Sequence, residues 1–382
     1  MLWPALWLAA LPLAAQSTTT VTLDTEIAPI VEAIYDLRFD SAAAAALQLV
    51  AAHPRHPAGP FYEGLVAYQR FALEDSPTGI EIAGFQSRMR EASVLGQAWI
   101  STDPAQGYYY MGASGGFDAR YLASQNRYLK AMPEGLRSIR NLKKAVALDP
   151  KLEDAYLALG LYHYFRSRLP LLAKPFAFLL SGEWGTRELG LEELRRAAEK
   201  GTFCRTEARC ALANIFLGEN EKNWEGAETL LKELMDLHPH YVAYRLRRIY
   251  GAERRGAWPQ AAELADPDGD WLSALDPGRR AEVRASAVYR AAEAWLLAGQ
   301  PDKAQPLLAQ LAELPPNSSL GSWALLRRAN LLDSQNNASG AEELYHGVRD
   351  PEAARTARAF LKSRYPGGPK TVKPLTGLEA PS

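Results

Sequence analysis

Few residues in this chain have the types and spacing that chemistry needs. Gly112, Ala113, Ser114, Gly115 and Gly116 spell G-x-S-x-G, the pattern of a nucleophile elbow. That elbow needs a parallel sheet to hold the serine in a strained turn, and a later acid and histidine. Tyr108 to Met111 would have to supply the supporting strand, yet no alternating strand pattern of useful length occurs in the chain. Gly112 also falls where a helical repeat needs a small residue. The motif therefore reads as close helix packing, and a serine hydrolase at Ser114 is a distant alternative.

Metal and redox chemistry are as thinly supported. His53 and His56 lie in HPRHP, where the prolines forbid the i, i+4 helical geometry of a ligand pair and no third ligand is near. Six histidines without H-E-x-x-H, two cysteines and no GK[ST] phosphate loop exclude the common zinc and nucleotide signatures, so no metal and no cofactor are expected. His163 reads as a satisfied core group. Cys204 and Cys210 flank the entry to a helix that Thr206 could cap; in an oxidising compartment they could bridge, and otherwise they are two small buried residues.

Arg245, Arg247, Arg248, Arg254 and Arg255 are interleaved with Tyr241, Tyr244 and Tyr250, a combination that can serve nucleic acid. The 43 Lys and Arg are balanced by 44 Asp and Glu, for a net charge of -1, and an acidic run lies nearby in Glu225 to Glu233. The arginines read as a solvated face with carboxylate contacts, and no nucleic-acid partner is expected.

The elements that must position these residues are helices, since small and large apolar residues recur with a period of about 34 to 50 residues. Ala227, Leu231, Leu234 and Pro239 share their spacing with Ala304, Leu308, Leu311 and Pro316; Ser138, Leu142, Ala145 and Pro150 repeat it with serine at the small position, and Gly190, Leu194 and Ala197 start it again. Tyr156, Leu159, Gly160 and His163 follow W-x2-L-G-x2-Y with conservative departures, and Tyr108, Met111 and Gly112 echo it. In these features the chain resembles tetratricopeptide-repeat (TPR) proteins. The resemblance implies an all-α superhelix, an α-solenoid of helix-turn-helix pairs over 25–350. A capping helix follows at 351–365, and 366–382 form a disordered tail. Between Pro60 and Pro104 the helices read as longer than the consensus.

In such a superhelix the first helix of each pair lines a concave groove. The resemblance thereby assigns Tyr109, Tyr110, Phe117, Leu157, Leu161, Tyr164, Phe165 and Asn214 to a peptide groove, with Tyr289 farther along. Family members that grip acidic tails use Lys and Asn there; this aromatic and apolar lining favours an extended or helical apolar segment of a protein or peptide client.

One segment is not generic. Residues 167–185 are too long for a turn within a repeat, and Leu171, Leu172, Phe176, Phe178, Leu179 and Leu180 make them strongly apolar. Ser167, Leu169, Pro170, Gly182, Gly185, Arg187, Gly190 and Leu191 resemble a block in the eukaryotic tetratricopeptide family that includes the inclusion-body clearance protein of the mitochondrial outer membrane. The match supports an insertion of fixed shape. It folds back onto the solenoid as extra core, or it forms a lid that meets a membrane or client through Leu171, Phe176 and Phe178.

Met1 to Ala15 are an apolar run followed by polar residues, too short for the about twenty residues a membrane span takes. They read as a signal peptide cut after Ala15, with a buried first helix as the alternative. No cysteine follows to carry a lipid anchor. The whole is read as a non-enzymatic exported scaffold or adaptor of the bacterial periplasm or cell envelope. The alternative is a structural protein of the envelope that touches a membrane through 169–180.

Overall fold

Six helix starts among the described residues coincide with side chains that accept hydrogen bonds from first-turn amides. Thr186 accepts from the Leu189 amide at 3.2 Å, and Asn223, Ser318 and Asn337 from Gly226, Gly321 and Gly340 at 3.1 Å. Asp103 and Asp350 cap in the same way just before Pro104 and Pro351, whose missing N–H costs nothing in a first turn. The computed structural model describes residues 23–72, 79–169, 185–275 and 277–365. Within them lie α1 (Leu23–Tyr35), α2 (Phe39–Ala52), α3 (Ala58–Ala72), α4 (Gly79–Trp99), α5 (Pro104–Ser124) and α6 (Tyr128–Leu148). Then come α7 (Ala155–Ser167), α8 (Arg187–Lys200), α9 (Arg205–Leu217), α10 (Trp224–Leu237), α11 (Val242–Arg254) and α12 (Trp258–Leu264). A short 3-10 turn at Asp270–Ala274 leads to α13 (Pro277–Leu297), α14 (Pro301–Gln310), α15 (Ser319–Ser334), α16 (Ala338–Gly347) and α17 (Pro351–Lys362). Among the described residues there is no strand, so the expected all-helical class holds. No helix there is long and apolar enough to cross a membrane.

Helices pack mainly on their neighbours in the chain. Most odd-numbered helices also touch the next odd one: α1 with α3, α3 with α5, α5 with α7, α7 with α9, α9 with α11, α13 with α15 and α15 with α17. Described turns inside the pairs carry one residue with positive φ, at Leu37, Asn126, Lys222, Gly256, Gly299 and Asn336. That left-handed step reverses the chain within a few residues; it suits glycine and asparagine and costs energy at Leu37 and Lys222.

The spaced triplets read from the sequence are all buried: Ala227, Leu231 and Leu234; Ala304, Leu308 and Leu311; Ser138, Leu142 and Ala145; Leu194 and Ala197. Small residues decide how closely the helices approach. A Cβ on Gly160 would lie 2.8 Å from the Leu194 backbone nitrogen, and one on Gly190 would collide with the backbone nitrogen of Tyr164. Gly112 meets Leu142 in the same way, and the Ser138 hydroxyl donates to the Gly112 carbonyl at 2.6 Å. At the C-terminal end α17 buries Ala353, Ala357 and Phe360 against α15 and α16. It ends at Lys362, three residues before the expected limit; the chain runs on to Tyr365, whose hydroxyl donates to the Leu296 carbonyl at 2.9 Å.

Candidate functional site

The odd-numbered helices gather side chains from far apart in the sequence. Tyr35 ends α1, Phe117 and Arg120 lie on α5, Glu207, Cys210 and Asn214 on α9, and Tyr244 and Arg247 on α11, with Tyr241 just before it. The Arg120 guanidinium pairs with Glu207 at 3.0 Å and lies over the Tyr68 ring at 5.7 Å. Tyr35 donates to the same Glu207 at 3.5 Å, and its ring lies 6.2 Å from that of Tyr241, which stacks on Tyr244 at 4.7 Å. One turn and two turns beyond Glu207 on the same helix face come Cys210 and Asn214; the Asn214 carbonyl accepts from Arg247 at 2.7 Å. Arg120 and Asn214 are exposed, while Phe117, Glu207 and Cys210 are half-buried, Phe117 and Cys210 packed against the neighbouring cores, so what this strip opens to solvent is chiefly polar.

Its electrostatics follow from partial enclosure. Burial raises the Tyr35 phenol well above its ordinary range, helped by the Glu207 carboxylate. Burial pushes the Cys210 thiol up to about 11 against the opposing pull of Arg247, so the thiol is protonated at neutral pH. For Arg120 burial works the other way, but Glu207 and Tyr68 outweigh it and hold the guanidinium charged. The strip thus offers one cation, already engaged by a carboxylate, an amide and flat aromatic surface.

The residues assigned to a groove fall into two sets. Phe117 and Asn214 belong to the strip. Tyr110 is buried edge-on against Phe61 at 5.6 Å, with Tyr109 half-buried beside it at 5.0 Å, and both pack into the N-terminal core. Tyr164 is buried and donates to Glu221 at 3.0 Å; Leu157 and Leu161 pack partly buried against the next core. Tyr289 is fully buried and donates to Glu293 at 2.8 Å. Phe165 alone of the assigned aromatics is open, 58% exposed. Tyr110 and Tyr164 are thus core residues, because neighbouring helices close over ring positions that periodicity alone leaves undecided.

The chemistry-bearing motifs also find their places. Ser114 sits inside α5, buried, and its hydroxyl donates to the Tyr110 carbonyl one turn back at 2.7 Å. His163 is buried against Glu193 at 2.5 Å, the satisfied core role expected of it. His53 meets Glu26 at 3.0 Å, and His56 accepts the Ala58 amide while packing edge-on to Trp99. Among the described residues no three metal-ligating side chains come together. The Cys204–Cys210 bridge is not formed and both thiols are free. Cys204 precedes α9 and its sulfur lies 4.0 Å from the Ala197 carbonyl, whereas the Cys210 sulfur lies 3.9 Å from the Asn214 amide. The arginine group contacts carboxylates in part, Arg248 engaging Glu228 and Arg254 pairing with Glu219, but it is not a solvated face: Arg247 is buried against Asn214, Arg245 reaches the Leu264 carbonyl, and only Arg254 and Arg255 are exposed.

Two arrangements escaped the sequence reading. Glu221, its side chain 3% exposed, receives Arg168 from the end of α7, Arg187 from the start of α8 and the Tyr164 hydroxyl. It ties together the two ends of the insertion, whose residues 170–184, with Leu171, Phe176 and Phe178, lie outside the described residues. In the C-terminal half, Glu253 pairs with Arg290 at 2.6 Å and Glu293 with Arg327 at 2.6 Å, all four buried. Arg327 continues to Asn330, Tyr345 and Asp333. The available signal was Arg290 and Glu293, charged residues among the alanines of an otherwise apolar face. No family model matches the chain, and no characterised protein matches it in sequence.

Proposed function

We propose that this protein is a non-enzymatic α-solenoid of TPR-like helix pairs that holds a segment of a protein or peptide client against its odd-numbered helices. Support for the solenoid comes from the recurring left-handed turns, the buried small-large-apolar triplets and the contacts between successive odd helices. One observation carries the binding role: Phe117, Arg120, Glu207, Cys210 and Asn214, from helices far apart in sequence, form one strip of which Arg120 and Asn214 are exposed. A client carboxylate would compete with Glu207 for Arg120, and an aromatic or aliphatic side chain would rest on Phe117.

A photo-crosslinking residue placed at Asn214, with a control on the outward-facing Arg140, tests this. The reading expects a discrete client adduct from position 214 that is absent from position 140. Equal labelling from both positions would overturn it.

A second reading, contact with an envelope membrane through 169–180, is favoured by the Glu221 clamp at the base of that segment and by the exposed Phe165 and Leu189 beside it. Export to the periplasm or envelope belongs to the same proposal; residues 1–15, like 366–382, lie outside the described residues. Protein recovered from its native host should begin at or close to Gln16, and a product retaining Met1 would refute export.

A further inference from the structure

We propose that the corner between α5 and α6 is a docking site for an anionic lipid surface. Helices α4, α5 and α6 are each 21 residues long, against 15 for α3 and 13 for α7. Six to eight extra residues make α5 and α6 about 9 to 12 Å longer than α3 and α7. There Asn126 takes the left-handed step at φ 58°, and the next helix opens with Tyr128, Leu129 and Met132, exposed by 62%, 88% and 52%. No other large apolar side chain among the described residues is as open as Leu129.

Charge around this tip selects its occupant. Arg127 and Lys130 are exposed on either side of Tyr128 and Leu129, and Arg137, Arg140 and Lys144 continue along the exposed face of α6 at helical spacing. The single acid of α6, Glu134, is engaged by Arg137 at 3.1 Å. In a chain of net charge -1 this is a local concentration of positive charge around a small apolar wedge. Three apolar side chains exposed at a helix start make too small a contact for a stable protein interface, which takes about 800 Å² from each partner. They suit entry into the acyl boundary of a bilayer, with the arginines and lysines among the headgroup phosphates.

Flotation of the full chain with phosphatidylcholine vesicles, alone or containing about one-third phosphatidylglycerol, tests the proposal. Wild type should float with the anionic vesicles and not the neutral ones, and should release at high salt. Leu129→Glu with Met132→Glu, and separately Arg127→Glu with Lys130→Glu, should each cut bound protein by about ten-fold or more while circular dichroism and thermal midpoint stay unchanged, since the side chains are exposed. Absence of binding to anionic vesicles would overturn the proposal. So would folded variants that float as wild type does, which would move membrane contact to another segment. Self-association abolished by Leu129→Glu without vesicle binding would show that the corner meets a second copy of the chain instead.

Discussion

The Tyr35 hydroxyl donates to the Glu207 carboxylate, across 172 residues of chain, at 3.5 Å. Around this bond Arg120 pairs with the same carboxylate, and Asp36 approaches His238 at 3.6 Å, so the end of α1 is fastened to α9 and to the loop before α11. A helix that touched only α2 and α3 would fray as a terminus does; this one is held at its far end. Tyr35→Phe should therefore speed amide hydrogen exchange within 23–35, with a global cost of about 1 kcal/mol, and Glu207→Ala should do so more strongly because it also releases Arg120. Exchange in α1 unchanged by both substitutions would show that the contact carries no energy.

Close approach of α7 and α8 makes Gly190 the more demanding of the two facing glycines. Gly190→Ala puts a methyl group into the Tyr164 backbone, and neither helix can shift without losing its other contacts. A loss of about 1 to 3 kcal/mol is expected from the denaturant midpoint, with Gly160→Leu at least as damaging.

Acid should weaken the fold in two stages. Burial, with help from His53, lowers His56 to about 4, so it folds neutral; its contribution is whole above the unfolded value of about 6.5 and is lost as pH falls toward 4. Hydrogen bonds from Arg187, then Tyr164 and Arg168, lower Glu221 to about 2, so its contribution is whole above about 4.5 and disappears as pH falls toward 2. Stability measured against pH should lose part of its upper slope in His56→Asn, which keeps an acceptor for the Ala58 amide, the rest coming from His238, which burial also lowers, and should lose lower slope in Glu221→Gln.

Arg327 is fully buried against Glu293, and its removal strands a carboxylate in a dry site. Arg327→Met alone should cost about 3 to 5 kcal/mol in a denaturant titration, and adding Glu293→Gln should recover a large part of it. Additive losses would mean that the pair is not coupled.

The free thiols should be slow to react in the native protein, since burial raises both above the ordinary range. Two equivalents of a thiol reagent should be consumed after unfolding without reductant, and reductant should leave the thermal midpoint unchanged. Consumption of none would restore the bridge.

Ala227, Leu231 and Leu234 were legible as one buried stripe from the sequence alone, because a 3.6-residue period is a local property and a helix face has no other way to be apolar. Gly112 and Gly160 were legible for the same reason: a small residue recurring at a fixed helical position marks a close approach. Tertiary structure alone decided which aromatic rings face the interior. Tyr109, Tyr110 and Tyr164 lie on first helices just as Phe117 and Phe165 do, and their burial depends on how far each helix turns against its neighbours, which a few degrees of packing angle can change. The pairings of Tyr35 with Glu207, Arg327 with Glu293 and Arg187 with Glu221 were equally out of reach. Each joins helices or loops that only tertiary packing brings together, and an isolated charged or phenolic residue carries no sign of the partner it will meet.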